Sequence, residues 1–211
     1  MQFFVGGLAC VAMLGSSIGA QALAAKPRPP VRPPARHPAA APNPQERSVA
    51  THHQVVVGGR TIAYTATAGT LIIKDKKGQP EASVFYVAYT EDGANRNARP
   101  VTFLYNGGPG CASSPLHMLA LGPRRIEVKN AAPNGGAPYT TVNNDDSLLD
   151  KSDLVFIDAP GTGYSTLLPK GNPKDVYGID QDAAAFAQFI ERYVTLNDRW
   201  NSPKFLLGES Y

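Results

Sequence analysis

The first half of the chain alternates short apolar runs with glycine-containing turns, a pattern typical of antiparallel β-structure. The apolar run at 55–57 is followed by Gly58-Gly59 and another run at 61–65, which predicts a β-hairpin with a two-residue turn. The strands that we expect in this half lie at 55–57, 61–65, 71–73, 83–90 and 101–105. We therefore predict that the first half is antiparallel and built from hairpins.

The pattern changes after residue 150. Residues 154–157 are continuously apolar, as is typical of a strand that is buried on both faces in a parallel sheet. Between 180 and 196 apolar side chains recur at three- and four-residue steps, which predicts an amphipathic helix with Asp180 as its N-cap. A second buried strand is expected at 205–207, and a strand, a helix and a strand in this order predict a βαβ crossover.

The first 48 residues do not show the pattern of a folded domain. Residues 1–24 are uncharged and largely apolar and end near a small-x-small site, so we interpret them as a secretory signal peptide. A membrane anchor is the alternative, but the apolar core is short for a spanning helix. Residues 25–48 are rich in Pro and Ala and predict a disordered tether. The predicted folded domain is 49–211. We expect the protein to be exported, periplasmic or secreted, without a membrane span once the signal is removed.

The net charge of +3 is concentrated in the tether, since residues 26–47 carry five basic groups and one acidic group. The rest of the chain has 15 basic and 16 acidic residues and is close to neutral. The charge of the folded part therefore gives no reason to expect a nucleic-acid partner.

The last predicted strand runs directly into Gly208-Glu209-Ser210, a Gly-x-Ser turn. In α/β-hydrolases this turn is the nucleophile elbow, which lifts the serine above the sheet and points the next backbone N–H at the developing oxyanion. The alternative is an ordinary turn after a core strand. Hairpins that lead into βαβ units and end at such a turn match the order of elements in an α/β-hydrolase. We therefore predict the N-terminal, incomplete part of that α/β fold.

Two further glycine-rich loops follow predicted strands. Residues 106–111 read Asn-Gly-Gly-Pro-Gly-Cys and cannot continue a strand, so their N–H groups are free to point at one spot, as in an oxyanion site. A plain turn is the alternative, and a phosphate-binding loop is disfavoured because no Gly-Lys-Ser/Thr follows. The loop at 158–165 is expected to turn the chain and line a pocket, with a structural role for Asp158.

Together these motifs resemble the serine carboxypeptidase family over about residues 80–211. The segments that carry the resemblance are, in chain order, 106–111, Ser113, Ser114, 121–123, 158–165 and 208–211. The resemblance implies an α/β-hydrolase fold and removal of C-terminal residues from peptides through an acyl-enzyme. It implies a peptide with a free C-terminal carboxylate as the partner, and we expect neither a cofactor nor a metal.

The resemblance also implies a role for individual residues. Ser210 would be the nucleophile, and the backbone N–H groups of Gly108 and Tyr211 would form the oxyanion hole. Asn106 and Glu209 would contact the substrate's terminal carboxylate, the amide as a donor and the glutamate in its protonated form. A serine hydroxyl is a poor nucleophile until a base takes its proton, so these roles also require a general base.

The chain departs from the family pattern at the base. The family's triad Asp and His follow the serine, whereas the histidines of this chain all precede Ser210; they are His37, His52, His53 and His117. None of them is assigned as the base, and His117 is expected to be a helix or pocket-lining residue. Ala120 and Leu104 stand where many family members have Glu and Trp.

We therefore interpret the 211 residues as an N-terminal fragment of an exported serine carboxypeptidase, inactive by itself because it lacks the triad Asp and His. Once the signal is removed, Cys111 is the only cysteine and either stays free or pairs outside this sequence. Two alternatives remain open at this point. One is a secreted, non-catalytic binding protein on a hydrolase scaffold, and the other is a lipase or esterase that shares the elbow.

Overall fold

The computed structural model describes residues 45–128 and 137–210, all of which belong to one unit of the chain, 40–211. The strands are β1 (Ser48–Val57), β2 (Arg60–Lys74), β3 (Pro80–Glu91), β4 (Val101–Asn106), β5 (Arg124–Ile126), β6 (Thr141–Asn143), β7 (Asp153–Ile157), β8 (Thr166–Leu167) and β9 (Lys204–Glu209). The helices are α1 (Pro173–Val176), α2 (Ile179–Leu196), a π-helix at Leu116–Leu121 and a 3-10 helix at Leu148–Asp150.

The first three strands form the antiparallel hairpins that the sequence predicts. Gly58 and Gly59 close β1 onto β2 with φ angles of 55° and 77°, which residues with a side chain rarely adopt. Between β2 and β3, the carboxylate of Asp75 accepts two backbone N–H groups of the turn, both at 2.8 Å. The predicted strand at 71–73 is not separate. It is the end of β2, which pairs with β3 along most of its 15 residues.

The main sheet has the order β1-β2-β3-β7-β4-β9, with the short β8 paired to β3. β7 is antiparallel to β3, whereas β4 is parallel to both β7 and β9. The prediction of a wholly antiparallel first half is therefore wrong for β4. Val101, Phe103 and Leu104 are all fully buried, and a strand that is apolar on both faces gains most from lying between two other strands.

β7, α2 and β9 form the predicted βαβ crossover, which passes over β4. All five residues of β7 are buried. The prediction of Asp180 as the N-cap of α2 is wrong, because the chain enters the helix through Gly178 at φ 136°, a conformation that favours glycine. Asp180 lies in the first turn instead, where its negative charge still favours the helix dipole.

An apolar layer covers each face of the sheet. On one face Phe189 and Tyr193 of α2 pack edge-on against Tyr86, with ring centroids 5.6 and 5.5 Å away. On the other face Leu104 and Phe156 belong to a second cluster with residues of β1 and β2. This mixed sheet, with its crossover helix, confirms the predicted α/β class and agrees with the first part of an α/β-hydrolase.

The packed structure begins before the predicted boundary at 49. β1 begins at Ser48, and Glu46 Oε1 accepts the N–H of Ile72 and a guanidinium N–H of Arg192, both at 2.7 Å. The signal peptide predicted at 1–24, and the tether as far as residue 44, lie outside the described residues. In the part of the chain that the structure describes, no helix combines the length and the apolar character needed to cross a membrane.

Ion pairs join the ends of β2, β3 and β7 to the segments that lead into β4 and β9. Asp153, the first residue of β7, contacts Arg99 through Oδ1 at 2.6 Å and Arg199 through Oδ2 at 2.5 Å. Arg99 also pairs with Glu91, the last residue of β3, at 2.6 Å, and Glu91 pairs with Arg60 at 2.7 Å. We call Asp153, Arg99, Arg199 and Glu91 the charged cluster.

Arg199 connects the charged cluster to the backbone. Its guanidinium donates to the carbonyls of Arg99 and Pro100 at 2.9 and 3.2 Å, and to Ser202 Oγ at 2.7 Å. Arg199 and Asp153 are each only 2% exposed. These bonds tie the segments that lead into β4 and β9 to the start of β7, and they satisfy charges that would be costly if buried alone.

We expect Arg199→Ala to destabilise the protein by about 3–5 kcal/mol, because it leaves the buried carboxylate of Asp153 with one cation and removes three further hydrogen bonds. Arg60→Ala is the control, since the Arg60 side chain is 49% exposed and its ion pair is worth less than about 1 kcal/mol. Urea unfolding of both variants measures the difference. Equal losses in the two variants would show that the charged cluster is not the anchor of the sheet.

Candidate active site

The candidate site lies at the edge of the sheet where β7, β4 and β9 end. Because these strands are parallel, their carboxyl ends meet at one edge and the loops that follow are neighbours. In the register of β4 with β9, Asn106 pairs with Glu209. The glycine loop at 107–112 therefore begins beside the Gly-x-Ser turn, and the loop that begins at Asp158 follows β7 on the other side of β4.

Ser210 turns the chain at the end of β9. Its φ of 59° is in the left-handed region, which is uncommon for a residue with a side chain and marks local strain. Ser210 is exposed. Gly208 lies against the ring of Tyr105, where an added Cβ would be 2.8 Å from Cε2, so a larger residue would collide there. A strained serine directly after a strand of a parallel pair has the geometry of a nucleophile elbow.

Asn106 joins the two predicted binding motifs. It is 8% exposed, and its Nδ2 donates to Glu209 Oε2 at 2.9 Å. Its Oδ1 accepts the N–H of Leu116 at 3.0 Å, which fixes the orientation of the side-chain amide. Glu209 is exposed. The two residues that the sequence assigns to carboxylate recognition are thus in direct contact, with Glu209 on the solvent side.

The loop after Asn106 has a conformation that requires glycine. Gly108 has φ 135°, and an added Cβ would lie 3.0 Å from the backbone nitrogens of Gly110 and Cys111. The N–H of Cys111 donates to the carbonyl of Gly107 at 3.2 Å. The loop is therefore a tight turn in which Gly108 lies against the backbone of Gly110 and Cys111. The thiol of Cys111 is free and exposed.

Asp158 holds two loops through its carboxylate. It is 8% exposed, and its Oδ1 accepts the N–H of Ser113 at 2.8 Å while Oδ2 accepts the N–H of Tyr164 at 3.2 Å. A Cβ at Gly163 would overlap Asp158 Oδ2, so the second loop can approach only with glycine there. The carboxylate binds backbone donors, as expected for a residue that shapes the loop.

The described histidines have their contacts away from the serine turn. His52 and His53 lie on β1, at the opposite edge of the sheet from β9. His117 lies in the π-helix, with Nε2 2.5 Å from Tyr89 Oη and its ring stacked on Phe156 at 4.6 Å between centroids. Burial lowers the pKa of His117 to about 4, so its imidazole is neutral at pH 7. It is a helix residue that lines the interior, as expected, and His37 lies outside the described residues.

Tyr211, whose N–H is predicted to complete the oxyanion hole, also lies outside the described residues. Across 45–128 and 137–210 no group of three or more His, Cys, Asp or Glu side chains could hold a metal ion. Sequence reasoning missed the contacts of Ser113, which it treated only as part of a motif. Ser113 Oγ accepts the N–H of Asn106 at 3.1 Å and donates to the carbonyl of Ile157. The sequence carries no local signal for this contact, because it depends on how β4 and β7 pair.

Comparisons with known proteins agree with this arrangement. A family model described as serine carboxypeptidase matches residues 61–211. The pheromone-processing carboxypeptidase KEX1 of Saccharomyces cerevisiae is 32% identical over 145 residues, which cover 65% of this chain and 19% of that protein. The protein of the same name from Metarhizium robertsii is 33% identical over 120 residues, which cover 56% of this chain and 17% of that protein. The chain thus spans less than a fifth of the length of these relatives.

The pKa of His117 predicts how stability depends on pH. Its folded value of about 4 is below the ordinary value of 6.5, so the unfolded chain takes up the proton first. The stabilising contribution is complete above pH 6.5 and is lost as the pH falls towards 4, by about 1 kcal/mol per pH unit. Urea unfolding between pH 4.5 and 7 should show a steeper loss in the wild type than in His117→Gln. Parallel curves would mean that His117 does not become more basic on unfolding.

Proposed function

The chain belongs to the serine carboxypeptidase family, and we propose that it carries the nucleophile of a serine-type carboxypeptidase that removes C-terminal residues from peptides through an acyl-enzyme on Ser210. The observation that carries this proposal is the left-handed Ser210, next in sequence to Glu209, which contacts Asn106. The strained serine supplies a nucleophile, and the pair beside it supplies a place for a carboxylate. A general hydrolase needs only the first of these.

The oxyanion in this mechanism is stabilised by backbone donors. Attack of Ser210 Oγ on the scissile carbonyl places a negative charge on the carbonyl oxygen, next to the glycine loop. The N–H groups of Gly108 and Tyr211 would bind that oxygen, and each such donor contributes about 3 kcal/mol to transition-state stabilisation. The conformation of Gly108 is compatible with this role, since only glycine fits against the backbone of Gly110 and Cys111 in so tight a turn.

The substrate's free carboxylate is recognised by Asn106 and Glu209. The amide of Asn106 is already oriented by the N–H of Leu116, so its Nδ2 can donate to a carboxylate without rearrangement. Glu209 would share one proton with the substrate's carboxylate, because two carboxylates in contact repel when both are charged. This pair distinguishes a carboxypeptidase from a lipase or esterase, which has no use for a carboxylate site beside the serine.

None of the histidines in the described part of the chain is placed to act as the general base for Ser210. The three described histidines contact groups elsewhere, and the neutral His117 is held by Tyr89. A triad His, oriented by an Asp, would take the Ser210 proton during attack and return it to the leaving amine. We further propose that residues 1–24 direct export and that residues 25–44 act as a tether, so the enzyme meets its peptide substrates outside the cytoplasm.

In the protein with its complete encoded sequence, a fluorophosphonate should modify Ser210 and stop the release of C-terminal residues from N-blocked dipeptides. Ser210→Ala should abolish both the labelling and the turnover, since no other group can form the acyl-enzyme. Mass spectrometry of the labelled peptide and amino-acid release measure the two effects.

A polypeptide of residues 1–211 tests whether these residues alone supply a general base for Ser210. It should show no turnover. Turnover by that polypeptide, lost in Ser210→Ala, would contradict a base from outside. Equal activity of the complete protein on a peptide and on its C-terminal amide would instead favour a general esterase or peptidase.

The peptide KM of the complete protein should rise with pH, because raising the pH removes the proton shared by Glu209 and the substrate's carboxylate. The dependence should be close to one proton, since Ala120 stands where many relatives have a second carboxyl. A C-terminal amide substrate should lack this rise, and Glu209→Gln should flatten it and keep activity at neutral pH. The measurement is KM against pH for both substrates in both proteins. A flat peptide KM in the wild type would remove Glu209 from this role.

A further inference from the structure

We propose that Ser113 and Asp158 are positioning residues that hold the glycine loop in the conformation needed at Ser210, an inference that rests on the proposed function. Neither residue touches the reacting atoms. Both act through the backbone of the segment between Asn106 and Ser113, which contains Gly108. The basis is a continuous series of hydrogen bonds that runs from the end of β7 to the end of β9.

The series begins with the carboxylate of Asp158, which accepts the N–H of Ser113 at 2.8 Å and that of Tyr164 at 3.2 Å. Asp158 is itself tied to β3, because its N–H donates to the carbonyl of Phe85 at 3.0 Å. Ser113 therefore has a fixed backbone position relative to the sheet. A carboxylate suits this position because it can accept both N–H groups at once without offering a donor.

Ser113 also bonds to Asn106 and so connects the two ends of the glycine loop. Its Oγ donates to the carbonyl of Ile157 and accepts the N–H of Asn106 at 3.1 Å. Residues 107–112 are thus held at both ends by one buried side chain, which is 2% exposed. Asn106 in turn donates to Glu209 at 2.9 Å. Ser113 accordingly fixes the backbone of Asn106, from which both the glycine loop and the side chain in contact with Glu209 extend.

A displacement of about 1 Å in such a site can lower the rate about 100-fold, because the donors no longer point at the developing charge. Removal of the Ser113 hydroxyl frees the Asn106 end of the loop and leaves a backbone N–H without its acceptor. Substitution of Asp158 by Asn replaces one acceptor oxygen by a donor, so one of its two N–H partners loses its bond. Both changes should reach Ser210 through the loop.

Ser165 provides a matched control on the same edge of the sheet. Its Oγ accepts the N–H of Phe85 at 2.8 Å and donates to the carbonyl of Asp158 at 2.8 Å. Ser165 is 3% exposed, so Ser113 and Ser165 are equally buried serines that bridge neighbouring backbones with one accepted and one donated hydrogen bond. Ser165 touches Asp158 only at its backbone carbonyl, so its loss leaves the Asp158 carboxylate bonded to Ser113, and of the two serines only Ser113 contacts Asn106. The two alanine variants should therefore lose similar stability and differ in their effect on the site.

The experiment compares Ser113→Ala, Asp158→Asn and Ser165→Ala in the protein with its complete encoded sequence. The readout is the second-order rate constant for modification of Ser210 by a fluorophosphonate, in which Oγ attacks phosphorus and fluoride leaves. Each value is corrected for the folded fraction from urea unfolding. We expect rates about 10- to 100-fold below the wild type for Ser113→Ala and Asp158→Asn, and within about twofold for Ser165→Ala. The kcat on a peptide and on a blocked ester should fall together.

The outcomes separate this inference from the proposed function. A wild type that is not modified at Ser210 would contradict the proposed function itself. A wild type that reacts, with Ser113→Ala as fast as Ser165→Ala, would overturn the positioning role alone, and so would an equal slowing in both. Where Ser113→Ala does not fold, the nearly isosteric Asp158→Asn decides by the same comparison with Ser165→Ala.

Discussion

The contact between the carboxylate of Asp153 and the guanidinium groups of Arg99 and Arg199 is the constraint on which the sheet depends. Each partner comes from a different part of the chain, and all meet at the edge where β4, β7 and β9 begin. A buried carboxylate must be paired or hydrogen-bonded, because an unpaired charge in the interior is strongly destabilising, and at Asp153 a guanidinium meets each oxygen. The charged cluster therefore favours the arrangement of strands that brings these side chains together. The backbone bonds of Arg199 to Arg99 and Pro100 extend the constraint to the start of β4.

The charged cluster and the candidate active site lie at opposite ends of the parallel strands. The charged cluster fixes the positions of the amino ends of the parallel strands. The carboxyl ends are then paired in register, with Asn106 beside Glu209. Ser210 can be held in a left-handed conformation because the strand that leads to it is paired along six residues with β4. Local strain of this kind persists only where the surrounding structure fixes it. A change at the charged cluster should thus be felt at the serine turn through strand register and not through a side-chain contact.

The departures from the family pattern have a structural explanation in part. Leu104, where the family resemblance leads us to expect Trp, is fully buried in the cluster that includes Phe156 and Leu149, so an apolar residue of this size fills that layer. Ala120 has no carboxyl group, but its carbonyl accepts the side-chain N–H of Asn144 at 2.6 Å. The π-helix is therefore held by its backbone at this position. The Asn106–Glu209 pair then brings a single carboxyl group to the proposed carboxylate site.

The sequence by itself determined those features that depend on neighbouring residues. The two-glycine turn, the buried run of β7, the helix α2 and the three glycine-rich motifs follow from backbone freedom and from apolar periodicity, which are properties of short segments. Only the tertiary structure decided that β4 is parallel, that Asp153 is paired with two arginines, and that Ser113 closes the loop at Asn106. Each of these contacts joins strands or loops that are far apart in the sequence. Their formation depends on strand register and on the charges buried between strands, which no local pattern encodes.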